Sequence, residues 1–208
     1  MKGKIFSLNK SNKKGTAKKS VKKAVLIENY GMQGDVHAGL DLQRQISLLS
    51  WESIQKKNFC LKKADNDLKP GDFAENITTT GIDLTRIKIR DRLRINDVVL
   101  EISQIGKKCH KYCDIYKKIG SCIMPKEGVF AKVIKGGKVN RGDVITVEPK
   151  IDVGILTVSD SCYKGTRIDC SGKYLVEACR KNDWHVLMYE VIPDEKDMIK
   201  DKLLMFSS

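Results

Sequence analysis

Leu93-Arg94-Ile95-Asn96-Asp97-Val98-Val99-Leu100-Glu101-Ile102 decides the fold. Apolar and charged residues alternate up to Asn96-Asp97, two residue types that favour turns, and a β-branched apolar run follows. The stretch predicts two strands joined by a tight turn. Outward from it the same signal repeats. Ile5–Leu8, Val21–Asn29 around Ala24-Val25-Leu26-Ile27, Arg44–Leu49, Phe130–Ile134 and Val144–Val147 read as strands. Breaks fall at Gly31, Gly34, Lys69-Pro70-Gly71-Asp72, Gly136-Gly137 and Gly142-Asp143. One helix is expected after Ser50, a plausible N-cap, starting at Trp51-Glu52-Ser53-Ile54. Many short strands with one or two helices predict a mainly β, barrel-like domain over residues 1–148.

The period changes after Glu148-Pro149-Lys150. Asp152–Val158 reads as a buried strand, and Ser171-Gly172 opens a helix with Leu175, Val176 and Cys179 on one apolar face. Trp184–Ile192 is a second strand, and Pro193-Asp194-Glu195 opens another helix. This βαβα order begins an α/β layer. Residues 151–208 are few for an independent α/β core, and two strands leave open edges, so the segment is expected to be incomplete.

Composition narrows the class. The 208 residues are 41% hydrophobic and 31% charged, the balance of a globular protein. No apolar run nears the roughly eighteen residues of a membrane span, and no secretory leader is evident. Seven cysteines, an odd number without a framework, suggest reduced thiols and a cytoplasmic location. The formal net charge is +13, and residues 1–23 hold nine lysines and no acid. Such an arm suits nucleic acid or a small phosphorylated ligand. Ser11-Asn12-Lys13-Lys14-Gly15-Thr16-Ala17-Lys18-Lys19 mixes lysines with hydroxyls and glycine, and it lacks the aromatics of a base-stacking surface.

The chemistry concentrates further on. Ile105-Gly106-Lys107-Lys108-Cys109-His110-Lys111-Tyr112-Cys113 precedes Gly120-Ser121-Cys122-Ile123-Met124-Pro125-Lys126-Glu127-Gly128, so three cysteines fall close together. Cations beside a thiol favour its nucleophilic thiolate, and Cys109 adjoins Lys107, Lys108 and His110. A buried, inert cysteine and a metal ligand are the alternatives, although this spacing lacks the paired knuckles of structural zinc sites. Gly34-Asp35-Val36-His37-Ala38-Gly39 is a polar loop in which glycines allow close backbone approach to a ligand. Glu75 and Asn76 either direct hydrogen-bonding groups into a pocket or hold a turn or strand edge.

Together these pieces resemble the MOSC domain, the family named after the C-terminal part of molybdenum cofactor sulfurases. The resemblance rests on Ser11-x-x-Lys14-Gly15-Thr16-x-Lys18, Gly34-Asp35-Val36-His37-Ala38-Gly39, Arg44-Gln45-Ile46-Ser47-Leu48-Leu49, Pro70-Gly71-Asp72-Phe73-Ala74-Glu75-Asn76-Ile77, Ile105-Gly106-Lys107-x-Cys109-His110 and Met124-Pro125-x-Glu127-Gly128. It implies a β-barrel and a cysteine, here Cys109, that carries sulfur as a persulfide or meets the molybdenum centre. The tail resembles the start of a molybdopterin adenylyltransferase domain in Thr157-Val158-Ser159-Asp160-Ser161, Asp169-x-Ser171-Gly172 and Val191-Ile192-Pro193-Asp194-Glu195. No Gly-Gly-Thr-Gly segment follows, so adenylyltransferase activity is not expected.

The resulting expectation is a molybdenum cofactor protein that binds molybdopterin or the complete cofactor and handles sulfur on Cys109, with His110 and Lys107 stabilising the thiolate. Lys14, Thr16, Lys18 and Arg44 would hold the pterin phosphate. Asp35, His37, Glu75 and Asn76 would line the pocket, and Ser159, Asp160, Ser171 and Gly172 of the tail would also be cofactor-binding, with Ser171-Gly172 at the helix start meeting an anion or serving as an ordinary cap. No resident metal ligands are expected. A cysteine desulfurase would donate sulfur, and molybdopterin or a molybdoenzyme would accept it. Cys113 and Cys122 are resolving or packing partners, and the tail is a surface for a partner or a second copy. The alternatives are a delivery module without turnover and, third, a basic nucleic-acid-binding protein.

Overall fold

The computed structural model describes residues 1–61, 68–108 and 114–207. They form two compact units, Met1–Pro149 and Lys150–Ser208. In the first unit the strands are β1 (Lys2–Lys10), β2 (Lys19–Val21), β3 (Lys23–Ile27), β4 (Gly31–Met32), β5 (Ile46–Ser50), β6 (Ile77–Thr80), β7 (Arg92–Ile95), β8 (Val98–Ile105), β9 (Val129–Lys135), β10 (Gly137–Asn140) and β11 (Val144–Glu148). Its helices are α1 (Trp51–Leu61), α2 (Asp114–Ile119) and α3 (Met124–Glu127), with a 3-10 turn at Leu84–Arg86. The sheet runs β11-β7-β8-β9-β5-β6-β1-β2, and β11 also pairs with β1. That pairing closes seven strands into a barrel, with β2 appended. The mainly β barrel expected from the sequence is what forms.

The β7–β8 hairpin has Ile95 opposite Val98 and Leu93 opposite Leu100, with Asn96 in the left-handed conformation at φ 53°. Asn tolerates that region better than most residues. Period-2 alternation then turns Leu93, Ile95, Val98, Leu100 and Ile102 inward, where they join Val129, Ala131 and Val133 of β9 in one core. β1 needs a different device. Ile5 and Leu8 are three apart and would face opposite sides of a regular strand, yet both lie in this core. A bulge against β6 between Ile5 and Ser7 resets the alternation.

β5 is buried along its whole length. Ile46 and Leu48 face the barrel interior. Leu49 points the other way, into a second cluster with Ile54 of α1, Phe73, Ile115 of α2, Met124 of α3 and Phe130 of β9. A strand covered on both faces reads as a continuous apolar run, as Ile46-Ser47-Leu48-Leu49 does. Ser50 caps α1 as expected, its Oγ accepting the Ser53 N–H at 3.0 Å.

Several local readings change. Val21–Asn29 divides into β2 and β3, while Gly31 and Gly137, which look like breaks, lie within β4 and β10. β3, β4 and β10 make a separate three-stranded sheet. The domain also holds more helix than expected, since α2 and α3 sit where the cysteine-bearing stretch hid any apolar period.

The second unit contains β12 (Asp152–Val158), α4 (Asp160–Tyr163), α5 (Cys170–Lys181), β13 (His185–Ile192) and α6 (Lys196–Ser207). β12 and β13 pair in parallel. A Cβ on Gly172 would strike Tyr189, and one on Gly154 would strike Phe206, so α5 and α6 pack on opposite faces. Cys179 of α5 is buried, but Leu175 is 48% exposed and lies off the expected apolar face. Among the described residues no helix is long and apolar enough to cross a membrane.

Candidate functional site

A cavity of about 340 Å³ opens on the outer side of the barrel over β5 and β9. Ser47 and Phe130, register partners across those strands, form its floor. The rest of its wall is Lys14, His37, Leu40, Asp41, Arg44, Phe73, Ala74, Asn76, Lys107 and Met124. Four loops converge here, residues 11–18, 33–45, 69–76 and 106–108. The size falls in the range of small-molecule sites. Two lysines, an arginine, a histidine and one carboxylate line it together with Leu40 and the nearly buried Phe73, Phe130 and Met124.

Asp35 ties two of those loops together. It is buried, and its Oδ1 takes the Lys18 ammonium at 2.8 Å, the His37 backbone N–H at 3.1 Å and the His37 ring Nδ1 at 3.3 Å. Its Oδ2 accepts the Ser11 N–H at 3.0 Å. Burial alone would raise this carboxyl's pKa, but the His37 hydrogen bond, the Lys18 charge and the Ser11 N–H outweigh it and hold the pKa well below the usual range. Lys18 is buried as well, and desolvation lowers its pKa against the opposing pull of Asp35. Asp35 and Lys18 therefore stand behind the cavity as an ion pair, with His37 as the member that reaches it.

Arg44 is held from one side. Its Nε and Nη2 lie 2.7 and 2.6 Å from Asp41 Oδ2, while Asp41 Oδ1 accepts the backbone N–H groups of Gln43 and Arg44. Burial would raise the Asp41 pKa, and the Gln43 N–H and Arg44 lower it below its ordinary value. This clamp fixes the plane of the guanidinium and leaves its other N–H groups for a ligand. Lys107 enters through a turn that only glycine allows. Gly106 has φ 66°, and a Cβ there would lie 2.5 Å from the Pro125 carbonyl oxygen. The Lys107 ammonium then sits 5.9 Å from the Phe130 ring centre, within cation–π range.

The loop bearing Glu75 and Asn76 is organised inward. Gly71, at φ 91°, packs so closely on the Lys18 carbonyl that any Cβ would collide with it. Glu75 is fully buried, its Oε1 accepting the Gly71 N–H at 2.6 Å and the Thr78 hydroxyl at 2.8 Å. Desolvation raises its pKa, and those two donors only partly oppose the shift. Glu75 lies outside the cavity wall. Asn76 borders the cavity, but its Oδ1 accepts the Ser47 N–H and hydroxyl, and its Nδ2 reaches the Asn9 carbonyl at 3.4 Å. It fastens β5 to β1. Thr16 likewise spends its hydroxyl on the Lys13 carbonyl at 3.0 Å.

The structure thus brings Lys14, His37, Arg44, Asn76 and Lys107 to one cavity and sets Lys18, Asp35, Glu75 and Thr16 around it. Cys109, His110 and Cys113 lie outside the described residues. Cys122 is half-buried and packs against the second cluster. Among the described residues no group of three His, Cys, Asp or Glu side chains could hold a metal ion. Asp41 is a member that sequence reasoning missed, although the Asp41-x-x-Arg44 spacing of a side-chain-capped turn was a signal for it. Phe73 and Phe130 gave none, because they read as core and are core, bordering the cavity only by an edge.

In the second unit the predicted loop is held by local hydrogen bonds, two of them helix caps. Ser159 Oγ accepts the Cys162 N–H at 3.4 Å, and Asp160 Oδ1 accepts the Asp194 N–H at 3.1 Å. The Gly172 N–H goes to Asp169 Oδ1 at 2.9 Å, and Ser171 is exposed in the first turn of α5. Tyr189 donates its hydroxyl to Asp169 Oδ2 at 2.6 Å, which raises the phenol pKa to about 12.

Known proteins resemble this chain in sequence pattern and in fold. The family described as MOSC domain matches residues 33–146, and the family described as "Probable molybdopterin binding domain" matches residues 154–208. No curated protein is detectably similar in sequence. Among solved structures, the YUAD protein from Bacillus subtilis superposes with a TM-score of 0.62 at 21% identity, covering 72% of this chain and 97% of its own. YiiM from Escherichia coli gives a TM-score of 0.55 at 20% identity over 74% of this chain and 72% of that one. YiiM from Geobacillus stearothermophilus gives 0.54 at 18% identity, over 71% and 76%. At these identities the likeness is one of fold.

Proposed function

The chain belongs to the MOSC domain family and carries a molybdopterin-binding-type segment behind that domain, and from this premise we propose that it binds molybdopterin or molybdenum cofactor and carries sulfur on Cys109. The two matches relate the chain to molybdenum cofactor metabolism. The observation that carries the binding half is the pairing of charge and apolar surface in one cavity. Lys14, Arg44 and Lys107 suit a phosphate, and the exposed Leu40 with the edges of the nearly buried Phe73, Phe130 and Met124 suits the ring attached to it. The bound cofactor would supply the molybdenum centre. This chain's residues hold the phosphate, orient the ring and shield it from water.

The sulfur half rests on sequence position. Lys107 and Lys108 immediately precede Cys109, and nearby cations favour the thiolate. The Cys109 thiolate attacks the outer sulfur of a persulfide on a cysteine desulfurase. The donor's S–S bond breaks, the donor leaves as a thiolate, and Cys109 gains an S–SH group. Incubation with a desulfurase and cysteine is expected to add the mass of one sulfur atom at Cys109, read by peptide mass spectrometry. The adduct should disappear in Cys109→Ala. A persulfide that never forms, or that persists unchanged in that variant, rules the assignment out. Undiminished cofactor retention by Cys109→Ala would then leave a delivery module without turnover.

A further inference from the structure

Among the described residues the side chains of the cavity wall are rich in hydrogen-bond donors and poor in free acceptors. Lys14, Arg44 and Lys107 have no acceptor atom. Both oxygens of Asp41 are already engaged by Gln43 and Arg44, and Asn76 Oδ1 by Ser47. His37 stands apart. Its Nδ1 contacts Asp35 Oδ1, and Asp35 is a buried carboxylate ion-paired with Lys18, so it can only accept. The proton of that contact sits on Nδ1. A neutral imidazole then has its bare lone pair on Nε2, the ring nitrogen left for a ligand.

We propose that His37 Nε2 is the acceptor the cavity offers its ligand, kept bare by the Asp35–Lys18 pair, so that the site selects an oxyanion bringing its own O–H donor over a matching one that lacks it. The ligand class is the hydrogen phosphate type. A phosphate monoester meets the requirement as its monoanion, P–OH to Nε2, with its other oxygens toward Arg44 and Lys107. The inference rests on the reading that the cavity holds a phosphate and adds which protonation form it holds. The charged groups around His37 are Asp35 and Lys18 behind it and Lys14, Asp41, Arg44 and Lys107 across the cavity. Asp35 is the positioning residue.

Hydrogen phosphate and sulfate test this, because at about pH 8.5 they are dianions of one shape that differ by a single O–H. Titration of the full chain followed by NMR is expected to give about tenfold tighter binding of phosphate than of sulfate, the size of one well-placed hydrogen bond. In His37→Phe the two affinities should converge. His37 is partly exposed, at 39% of its side chain, so this variant is expected to fold. Nitrogen-15 shifts of His37 give a second readout and should place the proton on Nδ1. Equal affinities in the wild type, a preference that survives His37→Phe, or a proton on Nε2 overturns the proposal while leaving the phosphate reading intact. Failure of both anions to bind removes the phosphate reading and this inference with it.

Discussion

Replacing Arg44 and Lys107 together with alanine is expected to weaken phosphorylated pterin binding about a hundredfold. A hydrogen bond to a charged group contributes about 1.5–3 kcal/mol when well formed. Partial exposure and salt screening reduce that to about 1.4 kcal/mol per side chain, a factor of ten. The two cations come from different loops and have different partners, Asp41 and the Phe130 ring, so their effects should roughly add. Arg44→Lys should recover little. The Asp41 clamp uses two guanidinium nitrogens in one plane, and an ammonium cannot reproduce that fork. Equilibrium binding measures the loss, and thermal unfolding should stay close to wild type, because the Arg44 side chain is 43% exposed. A change of less than threefold in the double variant would show that the phosphate lies elsewhere.

The largest stability effect is expected at Asp35. Asp35→Ala leaves the Lys18 ammonium buried without its partner, and breaking one side of a buried pair typically costs about 3–5 kcal/mol. The Ser11 and His37 backbone N–H groups lose their acceptor in the same change. Denaturant unfolding should show the loss, and adding Lys18→Met should restore much of it, since apolar replacement of a whole buried pair is often near neutral. If Asp35→Ala alone is near neutral, the pair does not hold the loops.

Acid sensitivity carries opposite signs at the two buried carboxyls. Asp35 has its folded pKa below the ordinary value of about 3.9, so its contribution is complete above that value and is lost as pH falls through the lower folded one. Glu75 has its folded pKa raised by burial, so the native state keeps this proton longer than the unfolded chain does. Its contribution is complete below the ordinary value of about 4.3 and is lost as pH rises through the folded one. Glu75→Gln should flatten that second limb and leave the first unchanged.

The hairpin at Leu93–Ile102 was legible because alternation and turn chemistry are both local; β12 was legible as an apolar run, but its expected burial is confined to Ile155. β1 was only half legible. A bulge is a property of a strand pair, and nothing within Ile5-Phe6-Ser7-Leu8 announces the partner that imposes it. The lysine run makes the same point for the site. Lys14 and Lys18 are four residues apart and chemically equal, yet one lines the cavity and the other is buried on Asp35. What separates them is the Lys18 N–H bond to the Gly71 carbonyl and the position of Asp35, both supplied by distant loops. Glu75 and Asn76 were readable as polar groups in a motif, but whether a buried amide serves a ligand or a strand depends on Ser47 and Asn9, which only the closed barrel brings near.

The central claim is that the first unit's cavity holds the phosphorylated pterin. Native mass spectrometry of the chain isolated from cells that make molybdopterin tests it most directly, with the Arg44→Ala/Lys107→Ala variant prepared in parallel. The account predicts a bound pterin on the wild type and its loss from the variant. A wild-type protein isolated free of pterin, or a variant that retains it equally, would contradict the account.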